Sequence, residues 1–213
     1  DGNVADGQHR LWAIIDSGCA QKFPIARGLK REDGLNIDTG KSRSIVDNAK
    51  ISGTESGLTN ELLAIARGAA EGCHANASVR KLRSNSERLA MYQQHREAVS
   101  WVSTNGPRGK SIRNAIVMAA MVRAWYAEKD HERLRRFADV LTTGLYDGDD
   151  ETAAVALRNY ILTKHAINTS GLWRDTFLRS QNAISYFMLG KRLTVIKATQ
   201  EEAYPLKRQR KQS

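Results

Sequence analysis

The chain has 213 residues, of which 41% are hydrophobic, enough for an apolar core in one large or two small domains. Its 33 lysines and arginines exceed its 23 aspartates and glutamates, and the resulting net charge of +10 favours a polyanionic partner. Two cysteines, Cys19 and Cys73, are too few for a disulfide framework or a zinc ribbon, and no stretch reaches ~18 uninterrupted apolar residues. We therefore expect a cytoplasmic protein without a membrane partner.

The N-terminal quarter carries a mixed pattern. Residues Gln8 to Ser17 predict a short helix that ends at Gly18. Phe23 to Leu29 alternates weakly and predicts a strand, and Ser42 to Ile51 predicts a second helix. Residues 1–52 are therefore expected to form an α+β part of the chain.

Helical periodicity dominates from Gly57 onward. Ser84 and Glu87 form an S-x-x-E capping box ahead of a helix that ends near Asn105. Further helices are predicted over Ser111 to Lys129, His131 to Gly144, Ala153 to Ile161 and Ser170 to Phe187. The predicted fold class is α+β but predominantly α, with an all-α domain of five or six helices over residues 53–206 and a basic tail over residues 207–213.

The stretch Asp6-Gly7-Gln8-His9-Arg10-Leu11 is the richest in chemistry. A glycine turn that opens a helix presents free backbone N–H groups where the helix dipole favours an anion. Arg10 adds a bidentate phosphate donor, and His9 can donate a hydrogen bond or transfer a proton near neutral pH. Such turns are common, and from the residues alone they are more often structural than functional.

These six residues resemble the D-G-Q-H-R signature of DGQHR-domain proteins, and they are similar to the G-E-R-R box of ParB and the G-C-H-R box of sulfiredoxin. The following order is also similar to a ParB-like core: the helix from Leu11, Gly18, a strand ending near Gly28, and Ile37 to Ser44. Comparable spacing occurs in bacterial and phage proteins. The resemblance implies that residues 1–52 are the C-terminal part of a ParB/sulfiredoxin-like core whose earlier part precedes Asp1.

The resemblance also implies roles for individual residues. The triphosphate of CTP or ATP would bind to Gly7, Gln8, His9 and Arg10. Asp38 and Arg43 stand where ParB keeps its E-N-x-Q-R box, which implies magnesium at Asp38 and a phosphate at Arg43, with Lys41 as a further phosphate-binding point charge. His9 and Asp38 are the catalytic candidates. Gln8 replaces the nucleophilic cysteine of sulfiredoxin, which excludes a sulfinic-acid reductase, and His9 replaces the first arginine of the ParB box, which leaves the preferred nucleotide open.

A basic group gathers around predicted helix starts and one loop, and it comprises Arg80, Lys81, Arg83, Arg88, Arg96, Arg108, Lys110 and Arg113. Such a face can bind a nucleic-acid backbone without reading bases, and it is equally compatible with a solvated surface. Trp101, Trp125 and Trp173 fall among apolar residues at helical positions and are predicted to lie in the core rather than to stack on bases.

Three functions stay open at this point. The first is a ParB-like nucleotide-phosphate-binding protein that acts in DNA transactions such as regulation, partition-like loading or DNA modification. The second is a magnesium-dependent NTP hydrolase, phosphotransferase or nuclease. The third is a non-catalytic helical protein-interaction module. The sequence leaves open whether the chain is a homo-oligomer.

Overall fold

The fold is built from helices. The computed structural model describes residue 4 and residues 6–30, 44–53, 55, 57–75, 84–163 and 170–206, and within these the backbone forms no strand. The helices of this part of the chain are α1 (Gln8–Ser17), α2 (Ile45–Ser52), α3 (Asn60–Glu71), α4 (Asn85–Gln94), α5 (Arg96–Asn105), α6 (Ala115–Ala127), α7 (His131–Thr143), α8 (Thr152–Thr163) and α9 (Ser170–Met188). The prediction of a predominantly helical chain is confirmed.

The chain divides into two compact units. Unit 1 comprises Asp1–Thr59 and Ser84–Leu89, and its buried apolar side chains among the described residues include Ile45, Ala49 and Leu58. Unit 2 comprises Asn60–Arg83 and Ala90–Ser213 and contains the larger core.

Residues 18–30 follow α1 as an irregular and largely exposed segment. Phe23, Ile25 and Leu29 are 40% to 68% exposed. A strand needs a neighbour to satisfy its backbone groups, and no described residue supplies one. This corrects the prediction of a strand over Phe23 to Leu29, and the expected α+β core is not confirmed.

The caps set the helix ends. Ser84 Oγ accepts a hydrogen bond from Glu87 N (3.2 Å) while Ser84 N donates to Glu87 Oε2 (2.7 Å), which confirms the predicted capping box. Asn114 Oδ1 accepts from two first-turn N–H groups at 3.0 and 3.1 Å, so α6 begins at Ala115 rather than at Ser111.

The predicted helix up to Asn105 is interrupted at residue 95, which separates α4 from α5. Seven helices therefore follow residue 57 within the described residues, one more than the larger of the predicted numbers.

Helix α6 lies at the centre of unit 2, packed against α3, α5, α7 and α9. Every residue from Val117 to Ala124 is buried, as expected of a helix that is apolar on all sides. Its small side chains permit a close approach: a Cβ on Gly68 of α3 would lie 2.7 Å from the Ala119 Cβ. The core of unit 2 is therefore organised around α6.

Arg123 is the charged residue within this buried stretch, and its side chain is only 5% exposed. Nη1 donates to Glu202 Oε2 (2.8 Å) and to the Tyr204 carbonyl (3.3 Å), and Nε donates to the Ala69 carbonyl. Burial lowers the pKa of Arg123, and the Glu202 carboxylate opposes that shift. The ion pair therefore ties α3, α6 and the C-terminal segment together.

The turn after α3 is fitted to this ion pair. Gly72 has a φ of +61°, and a Cβ there would lie 2.1 Å from Glu202 Oε1 and 2.4 Å from Arg123 Nη2. Glu202 Oε1 accepts a hydrogen bond from Cys73 N (2.7 Å). The side chain of Gln181, itself buried, accepts from Tyr204 N (3.2 Å) and fixes the same segment to α9. Only glycine suits position 72, because a Cβ would collide with the ion pair and because other residues rarely adopt this positive φ.

We expect Glu202→Gln to lower the free energy of unfolding by about 3 kcal/mol, because it leaves a buried guanidinium without its counter-charge. Urea unfolding followed by circular dichroism measures the loss. Glu132→Gln is the matched control, since Glu132 is 85% exposed and pairs with Arg135 at 3.6 Å, where an ion pair contributes little. Equal losses in the two variants would contradict this account.

Candidate functional site

The turn that opens α1 has the backbone geometry of an anion site. Gly7 is the N-cap residue with φ 89° and ψ 9°, and no side chain caps the helix. The first helical hydrogen bond runs from Leu11 N to the Gly7 carbonyl (3.0 Å). The first N–H groups of a helix have no partner within it, so those of Gln8, His9 and Arg10 point toward the space before α1.

Among the described residues, no atom apart from its chain neighbours lies within 4 Å of the position that a Cβ on Gly7 would take, and the neighbouring Asp6 is exposed. Gln8, His9 and Arg10 are all exposed, and the first turn of α1 contains no acidic residue. Gln8 Nε2 makes a long hydrogen bond to the Val4 carbonyl (3.5 Å). The structure therefore brings the four predicted residues of the motif together at one helix end, with a guanidinium and an imidazole free to approach an anion.

Helix α1 itself buries none of its residues. Trp12 and Ile15 are 63% and 68% exposed, so the described part of unit 1 leaves these two apolar side chains of α1 uncovered. Gly18, with φ 64°, ends the helix by donating its N–H to the Ile14 carbonyl (3.0 Å). The turn at Gly7 is thus presented on a well-formed helix with an uncovered face.

The second predicted box cannot be placed beside this turn, since Asp38, Lys41 and Arg43 lie outside the described residues. The described residues hold no group of three or more His, Cys, Asp or Glu side chains arranged for a metal ion. The predicted magnesium role of Asp38 therefore stays a prediction.

The predicted basic group is only partly described, because Arg80, Lys81 and Arg83 lie outside the described residues. Arg88 is half-buried in α4. Arg113 is engaged by Glu61, with Nε to Oε1 at 2.7 Å and Nη2 to Oε2 at 3.2 Å.

Arg96, at the start of α5, is exposed. Arg108 and Lys110 are also exposed, and they are the members of the basic group that the loop between α5 and α6 presents toward a phosphate backbone.

A groove on unit 2, which the sequence analysis missed, has a volume of about 780 Å³. One wall is the face of α5 formed by Arg96, Glu97, Ser100, Trp101, Thr104 and Asn105. The remaining lining residues are Gln93 and Gln94 at the end of α4 and Tyr126 in α6. Amphipathic spacing predicts which residues face the core, but it does not show that two helix faces leave a groove between them.

Tyr126 and His95 form a fixed pair at this groove. His95 is 4% exposed, and its Nδ1 lies 3.1 Å from the Tyr126 hydroxyl. Burial lowers the pKa of His95, and the Arg123 charge lowers it further. Burial also raises the pKa of Tyr126, as does the nearby Glu97 carboxylate.

Further aromatic rings cluster next to Tyr126. Trp125 packs T-shaped against Tyr126 (centroids 5.2 Å apart, 83°) and stacks on His131 (4.9 Å, 15°). Trp101 packs at a tilt on the same His131 ring (5.6 Å). Trp101, Trp125 and Trp173 are each half-buried, and Trp101 is the one that lines the groove. The prediction that these side chains pack in the core rather than stack on bases stays a prediction.

Neither a protein-family model, nor a curated protein, nor a solved structure matches this chain. Among the described residues, no helix combines the length and the apolar character that crossing a bilayer requires. The two candidate sites therefore rest on their own geometry.

We expect acid to destabilise the protein in part through His95. Its folded-state pKa lies below the ordinary value of 6.5, so as the pH falls the unfolded chain takes up a proton first, and stability is lost below about pH 6.5. Urea midpoints at about pH 7.5 and 5.5 should differ more for the native protein than for His95→Gln, whose amide can still bond Tyr126. The exposed His74, changed to Gln, is the control and should respond like the native protein. An unchanged acid response in His95→Gln would refute this role.

Proposed function

We propose that this chain is a ParB-like nucleotide-phosphate-binding protein that acts in DNA transactions such as regulation, partition-like loading or DNA modification. The triphosphate of CTP or ATP, with magnesium, binds at Gly7, Gln8, His9 and Arg10. The observation that carries the proposal is the left-handed Gly7 at the uncapped N-terminus of α1.

The choice of glycine at this cap favours a ligand. Serine, aspartate or asparagine is the stabilising N-cap residue, because its side-chain oxygen accepts a hydrogen bond from a first-turn N–H group. Gly7 has no side chain, so these N–H groups keep their donors for an anion. The cap interaction that the helix lacks on its own is supplied by a phosphate oxygen.

The side chains of the motif support the same ligand. The Arg10 guanidinium presents donors that match two phosphate oxygens, and the His9 ring adds a further N–H donor. Both are exposed, and no carboxylate of the first turn competes for them. This arrangement, together with the resemblance of the motif to the ParB and sulfiredoxin boxes, supports a ParB/sulfiredoxin-like core around the site.

A role in DNA transactions is supported by charge. The net charge of +10 gives the chain a general attraction for polyanions, and Arg108 and Lys110 are exposed in one loop of unit 2. These contacts would position a backbone and carry no base specificity.

We expect Arg10→Ala to weaken triphosphate binding about tenfold or more, because it removes a charge-assisted hydrogen bond to phosphate. Calorimetric titration with CTP, ATP and GTP in the presence of magnesium measures this. Arg27→Ala is the matched control, since Arg27 is also exposed in unit 1 but lies away from the motif in sequence, and it should bind like the native protein.

Product formation is followed in the same samples. Binding without turnover fits the proposed binding role, whereas magnesium-dependent turnover that Arg10→Ala abolishes would favour a hydrolase or phosphotransferase instead. The absence of binding to all three nucleotides would refute the proposal.

A further inference from the structure

The groove of unit 2 contains an exposed tyrosine whose hydroxyl is bonded to a buried histidine. Tyr126 is 44% exposed, yet its hydroxyl is bonded inward to the buried His95 at 3.1 Å. Its ring packs T-shaped against Trp125 (centroids 5.2 Å apart) and against His95 (5.7 Å). The hydroxyl bond and these two ring contacts order the side chain, although the residue is exposed. A ligand that stacks on it does not bear the entropy cost of fixing the side chain.

Neutral hydrogen-bonding groups surround this ring. Gln93 and Gln94 are exposed amides that can donate and accept. Asn105 donates its Nδ2 to the Trp101 carbonyl (3.0 Å), and Thr104 donates its hydroxyl to the Ser100 carbonyl (3.1 Å), so both oxygens keep acceptor capacity. Donors and acceptors beside an exposed ring match the edge and the face of a nucleobase.

The charges are distributed in a way that suits a nucleic-acid strand. Arg96 and Glu97 at the start of α5 have opposite charges. Beyond the other end of α5, the chain enters the loop with the exposed Arg108 and Lys110. A helix of ten residues is about 15 Å long, roughly the length of four stacked nucleotides at ~3.4 Å each.

We propose that this groove binds single-stranded nucleic acid, with a base stacked on Tyr126 and phosphates directed toward Arg96 at one end and toward Arg108 and Lys110 at the other. Single strands expose the base faces that such platforms need, whereas a duplex hides them. The chain's net charge of +10 attracts this class of ligand over a neutral peptide or sugar. The site is independent of the Gly7 turn and does not rest on its nucleotide.

Fluorescence anisotropy with labelled twelve-nucleotide dT and rU oligonucleotides, at low salt, tests the proposal. We expect Tyr126→Leu to weaken binding about tenfold, since stacking on one aromatic side chain contributes on that order. Tyr126→Phe keeps the ring and should retain most of the affinity. The matched control is Tyr146→Leu, because Tyr146 is 50% exposed and does not line the groove, and it should bind like the native protein. Circular dichroism verifies that each variant is folded.

A second substitution tests whether the bound oligonucleotide lies beside Glu97 in the groove. Glu97→Gln removes a carboxylate from the groove and should tighten binding, because like charges no longer repel. Arg10→Ala should leave oligonucleotide binding unchanged, which separates this site from the nucleotide site. Equal affinity of Tyr126→Leu and Tyr126→Phe, tighter binding of a duplex of the same length, or no binding by the native protein would each overturn the proposal. The dT and rU arms show whether DNA or RNA is preferred.

Discussion

The buried ion pair between Arg123 and Glu202 is the interaction on which unit 2 depends. A guanidinium in an apolar core is costly unless it is paired and hydrogen-bonded, and here Glu202 and backbone carbonyls satisfy it. The pair fixes the central helix α6 against the turn after α3 and the C-terminal segment. Tyr126 follows Arg123 by one helical turn, so the same pair also sets the position of the ring at the groove. The Arg123–Glu202 ion pair therefore stabilises both the helix packing of unit 2 and the position of Tyr126 at the groove.

Gly7 and Gly72 both have left-handed backbone conformations, but for different physical reasons. At Gly72 a Cβ would collide with the Arg123–Glu202 pair, so glycine is required by the packing of unit 2. At Gly7 a Cβ would meet nothing within 4 Å, and glycine is required by its φ of +89° alone. No packing in the described residues accounts for the conformation at Gly7. Gly28 shares the positive φ and the open space, so Gly7 is set apart by its position as the N-cap of α1, where the first N–H groups of the helix lack a partner within it.

The sequence predicted what depends on local interactions. The capping box at Ser84 and Glu87, the ends of α7 and the apolar α6 follow from spacing and short-range hydrogen bonds. The break at His95 was missed because it accompanies a bond to Tyr126, distant in sequence. The strand over Phe23 to Leu29 was predicted from a weak alternation that has no pairing partner among the described residues. The four residues of the Gly7 motif could be predicted to lie together because they are contiguous, and their role as a site stays a prediction. The groove was not found, since helices that meet only in the folded protein form it, and Asp38, Lys41 and Arg43 stay untested.

We propose that the left-handed turn at Gly7 binds nucleotide phosphates. Calorimetric titration of Gly7→Ala and Gly28→Ala with CTP, ATP and magnesium tests it most directly. Both glycines have positive φ and open space around a Cβ, so both substitutions impose backbone strain of about 1–2 kcal/mol, and only the first alters the cap of α1. The account predicts that Gly7→Ala loses nucleotide affinity while Gly28→Ala keeps it. Equal affinity of the two variants and the native protein would contradict it.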